Sequence, residues 1–393
     1  MSKIDDLISK MCPDGVEFKK LGEFSLLSNT GVDKKLLPNE SEVSLLNYLD
    51  ICRNKKISSG NLSAITTASS KKIAECSLLK GDVFITPSSE TRDDLANAAE
   101  IIADIPNAVY SYHILRIRLN DLNKMNPTFI VHLFASRFVQ EQIITLSTGM
   151  TRYGLTKPKW ESLKFPTPPL EIQKEIVAIL DKFTELEAEL EAELEARIKE
   201  YNYIKVKVFS IDAPSFKLGD VCSSFSGSFI KKTKQNVDFL YPVYNGGISP
   251  TGYYDEYNTE ANSVAISARG ASRGFVNWVP VKFWAGNSCH VINTKSDTLL
   301  NRYLFHYLKF KELELNQMGK TGSIPALNLE PLLNFKIIVP EIEIQKEIVT
   351  SLDSLDTLIN DISIGLPAEI KARRQQYEYY RNKLLTFKEL DVE

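Results

Sequence analysis

The sequence predicts an α+β chain built twice over. Two similar α/β domains are separated by a pair of long antiparallel coiled-coil helical regions, giving an internal pseudo-two-fold repeat. Three observations predict this. The run Glu171-Ile172-Gln173-Lys174-Glu175-Ile176-Val177 returns unchanged as Glu343-Ile344-Gln345-Lys346-Glu347-Ile348-Val349. Shorter matches keep the same order around it: Leu21-Gly22-Glu23 with Leu218-Gly219-Asp220 at a shift of 197, His113-Ile114 with His290-Val291 at 177, and Glu200-Tyr201-Asn202-Tyr203 with Gln376-Tyr377-Glu378-Tyr379 at 176. Each copy of the seven residues follows a proline and opens a long run of apolar residues at helical spacing, as a helix start would. The shift falls from 197 to 172 ahead of the motif, so the first unit carries about 25 more residues there (197 − 172 = 25), as loops varying on a shared scaffold would.

Four stretches follow: a first domain over 1–167, a helical spacer over 168–210, a second domain over 211–339 and a second helical region over 340–393. The first domain opens on a short helix-like segment and a Pro-Asp-Gly turn. Strand-like alternation then covers Ser111 to Leu119, and a helical pattern covers Phe129 to Phe134. Gly81-Asp82 turns into a strand, Val83-Phe84-Ile85-Thr86, followed by the polar loop Pro87 to Arg92.

Residues 169–209 contain no internal Gly or Pro, and their apolar positions are Ile172, Ile176, Ile179, Phe183, Leu186, Leu190, Leu194, Ile198 and Tyr201. The steps of 3 and 4 make a heptad seam with a stutter, which predicts a long helix packed on another helix. The second domain begins at Phe216-Lys217-Leu218-Gly219-Asp220, and its strand Ser263 to Ala268 leads into the loop Arg269 to Gly274. By its place after a strand, that loop corresponds to Pro87 to Arg92. The last helical region contains Gly365-Leu366-Pro367, which predicts two segments or a kink. For the two seams to pack, the second helical region must run antiparallel to the first, with a domain at each end of a helical bar. Duplex DNA has local two-fold axes, so such an object can present equivalent surfaces to two half-sites.

With 393 residues, 43% apolar and 25% charged, the chain reads as globular and long enough for two cores. Neither a signal peptide nor a membrane-spanning run is expected, so the default location is the cytoplasm. The five cysteines are scattered without a C-x-x-C pair and read as reduced thiols. Net charge is −3 but uneven. Residues 168–210 hold 6 Lys/Arg and 10 Asp/Glu, and residues 340–393 hold 7 and 11, so each helical part is −4 and the remainder +5 (−3 + 4 + 4). Mildly basic domains suit phosphate, and acidic helices suit either protein partners or plain solvation.

Catalytic and metal motifs are mimicked rather than present. Pro13-Asp14 with Glu17-Phe18-Lys19 has the residues of a metal-dependent nuclease without the strand and turn between its halves. Gly319-Lys320-Thr321 ends like a phosphate loop, yet Glu314 stands where its first Gly is required. Thr167-Pro168-Pro169-Leu170 lacks the Asn/Asp and aromatic residue of an amino-methyltransferase. His113 and His290 read as strand histidines with satisfied hydrogen bonds rather than as metal ligands. The loops do offer chemistry for reading bases: Arg92, Arg152, Arg269 and Arg273 for guanine or phosphate, Asn245 for adenine, and Ser88, Ser89, Thr91, Ser272 and Ser323 for either. Thr148, Tyr153, Lys157, Tyr244 and Lys320 complete the candidate DNA-binding set. A non-catalytic coiled-coil adaptor holding two protein-binding domains apart is the alternative reading.

Cys12-Pro13-Asp14-Gly15-Val16-Glu17-Phe18-Lys19-Lys20-Leu21-Gly22, the twin Glu-Ile-Gln-Lys-Glu-Ile-Val helix starts and Ala372-Arg373-Arg374-Gln375-Gln376-Tyr377-Glu378-Tyr379-Tyr380-Arg381 resemble the DNA-specificity subunit of type I restriction–modification systems. The resemblance covers essentially the whole chain. It implies two target-recognition domains, each reading half of a bipartite, asymmetric site in double-stranded DNA, with helices fixing the unread interval. It also implies a chain without catalytic activity or cofactor of its own. Two modification (methyltransferase) subunits using S-adenosylmethionine would dock on it, joined by restriction subunits using ATP and Mg. One departure is the acidic Leu-Glu-Ala-Glu run of the first helical region, where the second has Pro-Ala-Glu-Ile-Lys-Ala-Arg-Arg, so the two outer faces are expected to meet partners differently.

Overall fold

The computed structural model describes residues 3–295, 297–318, 326–361 and 363–390. The chain packs as two compact units, Met1–Glu189 with Ile370–Glu393, and Leu190–Glu369. The helical stretches separated in the sequence reading are thus shared between these units rather than forming bodies of their own.

The repeat is visible strand by strand. The main sheet of the first unit runs Ser25–Ser28, Leu115–Leu119, Val83–Ile85, Ala98–Ile101, then Lys56–Ile57, antiparallel except for the last pair. In the second unit, Cys222–Ser226, Cys289–Thr294, Ser263–Ser267 and Val276–Val279 follow the same order, all antiparallel. A three-stranded sheet mixing one antiparallel and one parallel pair also occurs in both, centred on Ser41–Leu46 and on Tyr241–Tyr244. So does a short antiparallel pair at the root of each domain, Phe18–Lys20 with Lys164–Pro166 and Ser215–Lys217 with Lys336–Ile338.

Successive side chains of a strand point to opposite faces. Val83 and Ile85 accordingly join one apolar cluster and Phe84 another; in the second unit Val264 and Ile266 join one and Ala265 the other. Each main sheet therefore separates two cores, which is why these strands read as unbroken apolar runs rather than as alternation. The strand expected over Ser111 to Leu119 is shorter: it begins at Leu115, and residues 111–114 turn.

The spacer is one helix, Leu170–Val208, of 39 residues. The other helical region is two helices, Ile342–Asn360 and Leu366–Leu384, broken where Gly365-Leu366-Pro367 predicts. A Cβ on Gly365 would lie 2.6 Å from the Asp361 carbonyl oxygen and 2.7 Å from that of Thr357, so the close turn admits only glycine. The apolar seam of the spacer is not buried evenly. Ile172 and Ile176 are in the first core and Tyr201 in the second; Ile179 is only partly buried while its neighbour Leu180, outside the predicted seam, is in the first core; Leu186 and Ile198 are 36% and 41% exposed. Within the first unit, Phe183 lies against Tyr377 and Tyr380, and Glu187 pairs with Arg374 at 2.6 Å. Rising numbers on one helix meet falling numbers on the other, so these segments pack antiparallel.

The repeated motif owes its form to its glutamine. Gln173 is fully buried: its Oε1 accepts the Asn126 N–H (2.8 Å), and its Nε2 donates to the carbonyls of Lys124 (2.8 Å) and Pro168 (2.7 Å). Gln345 repeats this with the Leu300 N–H (2.9 Å) and the carbonyls of Thr298 and Pro340 (2.8 Å each). Asn126 and Leu300 are the N-caps of Pro127–Phe134 and Asn301–Phe310, so one side chain ties each long helix to the start of a domain helix. Further along, His132 meets Asp181 at 3.1 Å and His306 meets Asp353 at 2.6 Å, pinning the same helices again. Lys56 and Arg302 flank these aspartates at 2.7 Å.

Two outcomes follow from these junctions. Gln173→Leu removes three hydrogen bonds between a fully buried side chain and the backbone and lowers stability by on the order of 3 kcal/mol in urea unfolding. Glu171→Gln, on the exposed side of the motif, stays within about 0.5 kcal/mol; equal effects would contradict the account. Burial holds His132 and His306 below the ordinary value of 6.5, outweighing the attraction of their aspartates. The unfolded chain then takes up those protons first, so stability is complete above about pH 6.5 and falls below it. Burial raises Asp181 and Asp353, but hydrogen bonds from their basic partners outweigh it and hold both below 3.8, adding a loss only in stronger acid. The thermal midpoint should fall between about pH 7.5 and 5.5, and fall less in the His132→Gln, His306→Gln double variant. An unchanged slope would count against the pair.

Candidate nucleic-acid interface

Sheet topology decides which loops meet. In the first unit, Ser28 lies opposite Arg116 and Ile85 opposite Leu115, so the loops after Ser25–Ser28 and Val83–Ile85 leave the same end of the sheet, beside the turn at 111–114. In the second unit, Ser226 lies opposite His290 and Ser267 opposite Cys289, which places the loops after those two strands together in the same way.

Most of the first unit's predicted residues converge on one small ribbon. Ser88–Ser89 pairs antiparallel with Tyr153–Gly154, and Thr148 and Gly154 exchange two backbone hydrogen bonds of 3.0 Å. Arg152 Nε donates to Ser88 Oγ at 3.0 Å, and the Arg92 guanidinium lies 4.9 Å over the Tyr153 ring. Thr91 Oγ1 donates to Asp94. Ser89 is buried and its Oγ accepts the Thr91 N–H, so it builds the loop rather than facing outward. The hairpin tip needs Gly149, whose φ is +141° and whose added Cβ would fall 1.9 Å from the Arg152 carbonyl oxygen. Lys157 stands apart, on the helix Lys157–Glu161 in an ion pair with Glu161.

In the second unit the predicted residues divide. Arg269 is exposed and its backbone bridges to Ala326. Ser272 is half-buried in the same loop. Arg273 is a brace: its Nε donates to the Asn316 carbonyl (3.1 Å) while Asn316 Nδ2 donates to the Arg273 carbonyl (2.8 Å), holding the helix Glu312–Met318. Asn245 Oδ1 accepts the Ser288 N–H at 3.0 Å, so the acceptor that a two-point contact with adenine requires is already engaged. Tyr244 packs edge-on against Phe283. Lys320 and Ser323, with the rest of the phosphate-loop mimic, lie outside the described residues.

The pairing of His113 with His290 is not structural. His290 is on a strand, accepts from Ser226 Oγ at Nδ1 (2.9 Å) and donates from Nε2 to the Leu327 carbonyl (2.9 Å), and burial lowers its pKa. His113 is exposed in a turn, its ring centroid 3.9 Å from that of Tyr112 and tilted 36° to it. The histidines in matching places are His132 and His306.

Topology also brings in residues that sequence reasoning missed. Lys34 and Lys35 follow the first strand of one sheet, and Lys231, Lys232 and Lys234 follow that of the other; all are exposed. The loop of the first pair is anchored, since the Lys35 carbonyl accepts from Thr66 Oγ1 and the Thr67 N–H. Lys35 pairs with Asp33 at 2.8 Å, which raises the lysine pKa and lowers that of the aspartate through their hydrogen bond. None of the ion pairs among the described residues uses Lys231, Lys232 or Lys234. The signal was available: 34 + 197 = 231 and 35 + 197 = 232, the shift that aligns Leu21-Gly22 with Leu218-Gly219.

Among the described residues, no group of three or more His, Cys, Asp or Glu side chains could hold a metal ion, and no helix is long and apolar enough to cross a membrane. All five cysteines are free thiols, and burial pushes Cys222 and Cys289 up to about 12.

Comparison with known proteins places this architecture. The family model of the type I restriction modification DNA specificity domain matches twice, over residues 13–200 and 211–372. A Haemophilus influenzae chain named for the type I restriction enzyme specificity subunits is 32% identical over 293 residues, covering 68% of this chain and 74% of that one. The Escherichia coli EcoR124I/EcoR124II specificity subunit is 33% identical over 249 residues, covering 56% and 61%. In fold, the crystal structure of the type I restriction–modification system S subunit from M. genitalium superposes with a TM-score of 0.61 at 17% identity, covering 96% of this chain and 97% of that one. The HsdS subunit from Thermoanaerobacter tengcongensis does so with a TM-score of 0.52 at 20% identity, covering 95% and 97%. The chain therefore belongs to the type I restriction–modification DNA specificity family and carries two copies of its domain.

Proposed function

We propose that this chain is the non-catalytic sequence reader of a type I restriction–modification complex, each unit reading one half of a bipartite site in duplex DNA. The observation that carries this reading is the twin presentation. In both units the loops after the strands at the first and third places across the main sheet leave one end of it with exposed lysine and arginine side chains. In the first unit the reading residues are Arg92 and Arg152, held by Tyr153 and Ser88; in the second, Arg269 and Ser272. Such side chains on a scaffolded loop can meet guanine O6 and N7. Lys34, Lys35, Lys231, Lys232 and Lys234 grip phosphate and set position without carrying sequence.

The helices act as the spacer that sets the unread interval and as the docking surface for two modification subunits, with restriction subunits joining them in the cytoplasm. S-adenosylmethionine, ATP and Mg belong to those partners, and this chain binds none of them.

Quantitative binding of duplex DNA by the assembled complex across a salt series tests the phosphate assignment. Each phosphate that the protein no longer neutralises should lower the slope of log affinity against log salt by roughly 0.9. Replacing Lys231, Lys232 and Lys234 together with alanine should flatten the slope by roughly three such increments and leave the preferred sequence unchanged. A changed sequence preference with an unchanged slope would make these lysines base readers instead.

A further inference from the structure

The seven repeated residues act as an internal control: with identical sequence, any difference in burial reports what lies against each copy. Ile172 is 0% exposed and Ile344 is 41% exposed. Glu175 pairs with Lys3 at 2.6 Å, whereas Glu347 is exposed. The first copy is covered by the amino-terminal helix Lys3–Met11. Ile4 of that helix shares an apolar cluster with Ile172 and Ile176, Leu7 and Ile8 pack against the cluster, and Lys3 reaches Glu175.

Among the described residues no helix takes that place in the second unit. Carried back from Leu21, the 197-residue shift would put Lys3–Met11 on residues 200–208, but the repeat pairs these with residues 376–384, and Tyr201 reaches Asp356, beyond the repeated motif. Glu341, Ile344 and Glu347 instead form one exposed face at helical spacing. A groove of about 700 Å³, floored by Phe216, Val221, Val339 and Ile342, begins at Pro340 and Glu341 beside that face. Its rim carries Asp297 and Glu341, neither of which joins an ion pair among the described residues. The matching first-unit positions, at the 174- and 172-residue shifts that align Leu300 with Asn126 and Gln345 with Gln173, are Asn123 and Pro169. The negative charge is therefore particular to the second unit.

We infer that this face takes a short amphipathic helix from a partner subunit. The occupant carries apolar residues at i, i+3 and i+4, as Ile4, Leu7 and Ile8 do, with lysine or arginine at its amino-terminal end for Glu347 and further basic residues for Glu341 and Asp297. The inference rests on the docking of modification subunits proposed above and adds that one such helix binds per chain, because the first unit covers its own copy.

The test uses the purified complex of the full chain with its modification subunits, a photo-crosslinking amino acid at position 344 and mass spectrometry. The expected product joins position 344 to a basic amphipathic segment of the modification subunit, in at most one of the two subunits per complex. In parallel, Ile344→Asp should weaken binding of one modification subunit roughly tenfold while leaving thermal unfolding of the isolated chain unchanged, since the side chain is exposed. An intact complex without that crosslink, a crosslink to Lys3–Met11 of a second copy, or unaltered affinity of the Ile344→Asp variant would overturn the inference and leave the proposed function standing. Failure of any complex to form would remove both.

Discussion

A buried glutamine amide, present twice, is the constraint on which the structure depends. Gln173 and Gln345 each satisfy one backbone donor and two backbone acceptors where a domain helix begins and a long helix begins. Both glutamine side chains are fully buried, so each amide left without those partners would be unpaired at considerable cost. The amide fixes both the position and the direction with which each long helix leaves its domain, and the histidine–aspartate contacts further along hold that direction. The rigidity therefore sits at the root of each domain rather than in its loops.

The sheets convert that rigidity into presentation. Because each main sheet lies between two apolar cores, its strands are held from both faces, and the loops at one end inherit a fixed origin. The ribbon of Ser88–Ser89 and Tyr153–Gly154 is built from backbone pairing and a cation–π contact, whereas the second unit commits Arg273 and Asn245 to bracing its own loops. The two units share a scaffold and present different chemistry at the ends of their sheets.

The duplication, the long helix and its broken counterpart were legible in the sequence for physical reasons. Burying the same amide twice demands the same residues around it, and Pro367 cannot continue a helix. The polar loop from Pro87 to Arg92 was legible because it follows an apolar strand, but its pairing with Tyr153–Gly154 was not, since that partner lies more than 60 residues away. Other features were not. Arg273 has the residue type of a base reader, and only its contact with Asn316 identifies it as a brace. His113 and His290 match by spacing alone, although one lies in a turn and the other on a strand. The lysine loops were missed because the balance of +5 outside the helical regions does not say where on a sheet its lysines gather, which only strand order reveals. The unequal covering of Ile172 and Ile344 lies beyond any reading of the motif, because the two copies are identical.

The central claim, that this chain supplies DNA sequence specificity to a modification enzyme, is tested most directly by single-molecule methylation sequencing. DNA would be compared from cells expressing the chain with its candidate modification subunit and from cells expressing that subunit alone. The account predicts methylated adenines in a split motif, two short half-sites around a fixed unread interval, only when this chain is present. Absence of chain-dependent methylation, with a modification subunit competent beside another reader, would contradict it.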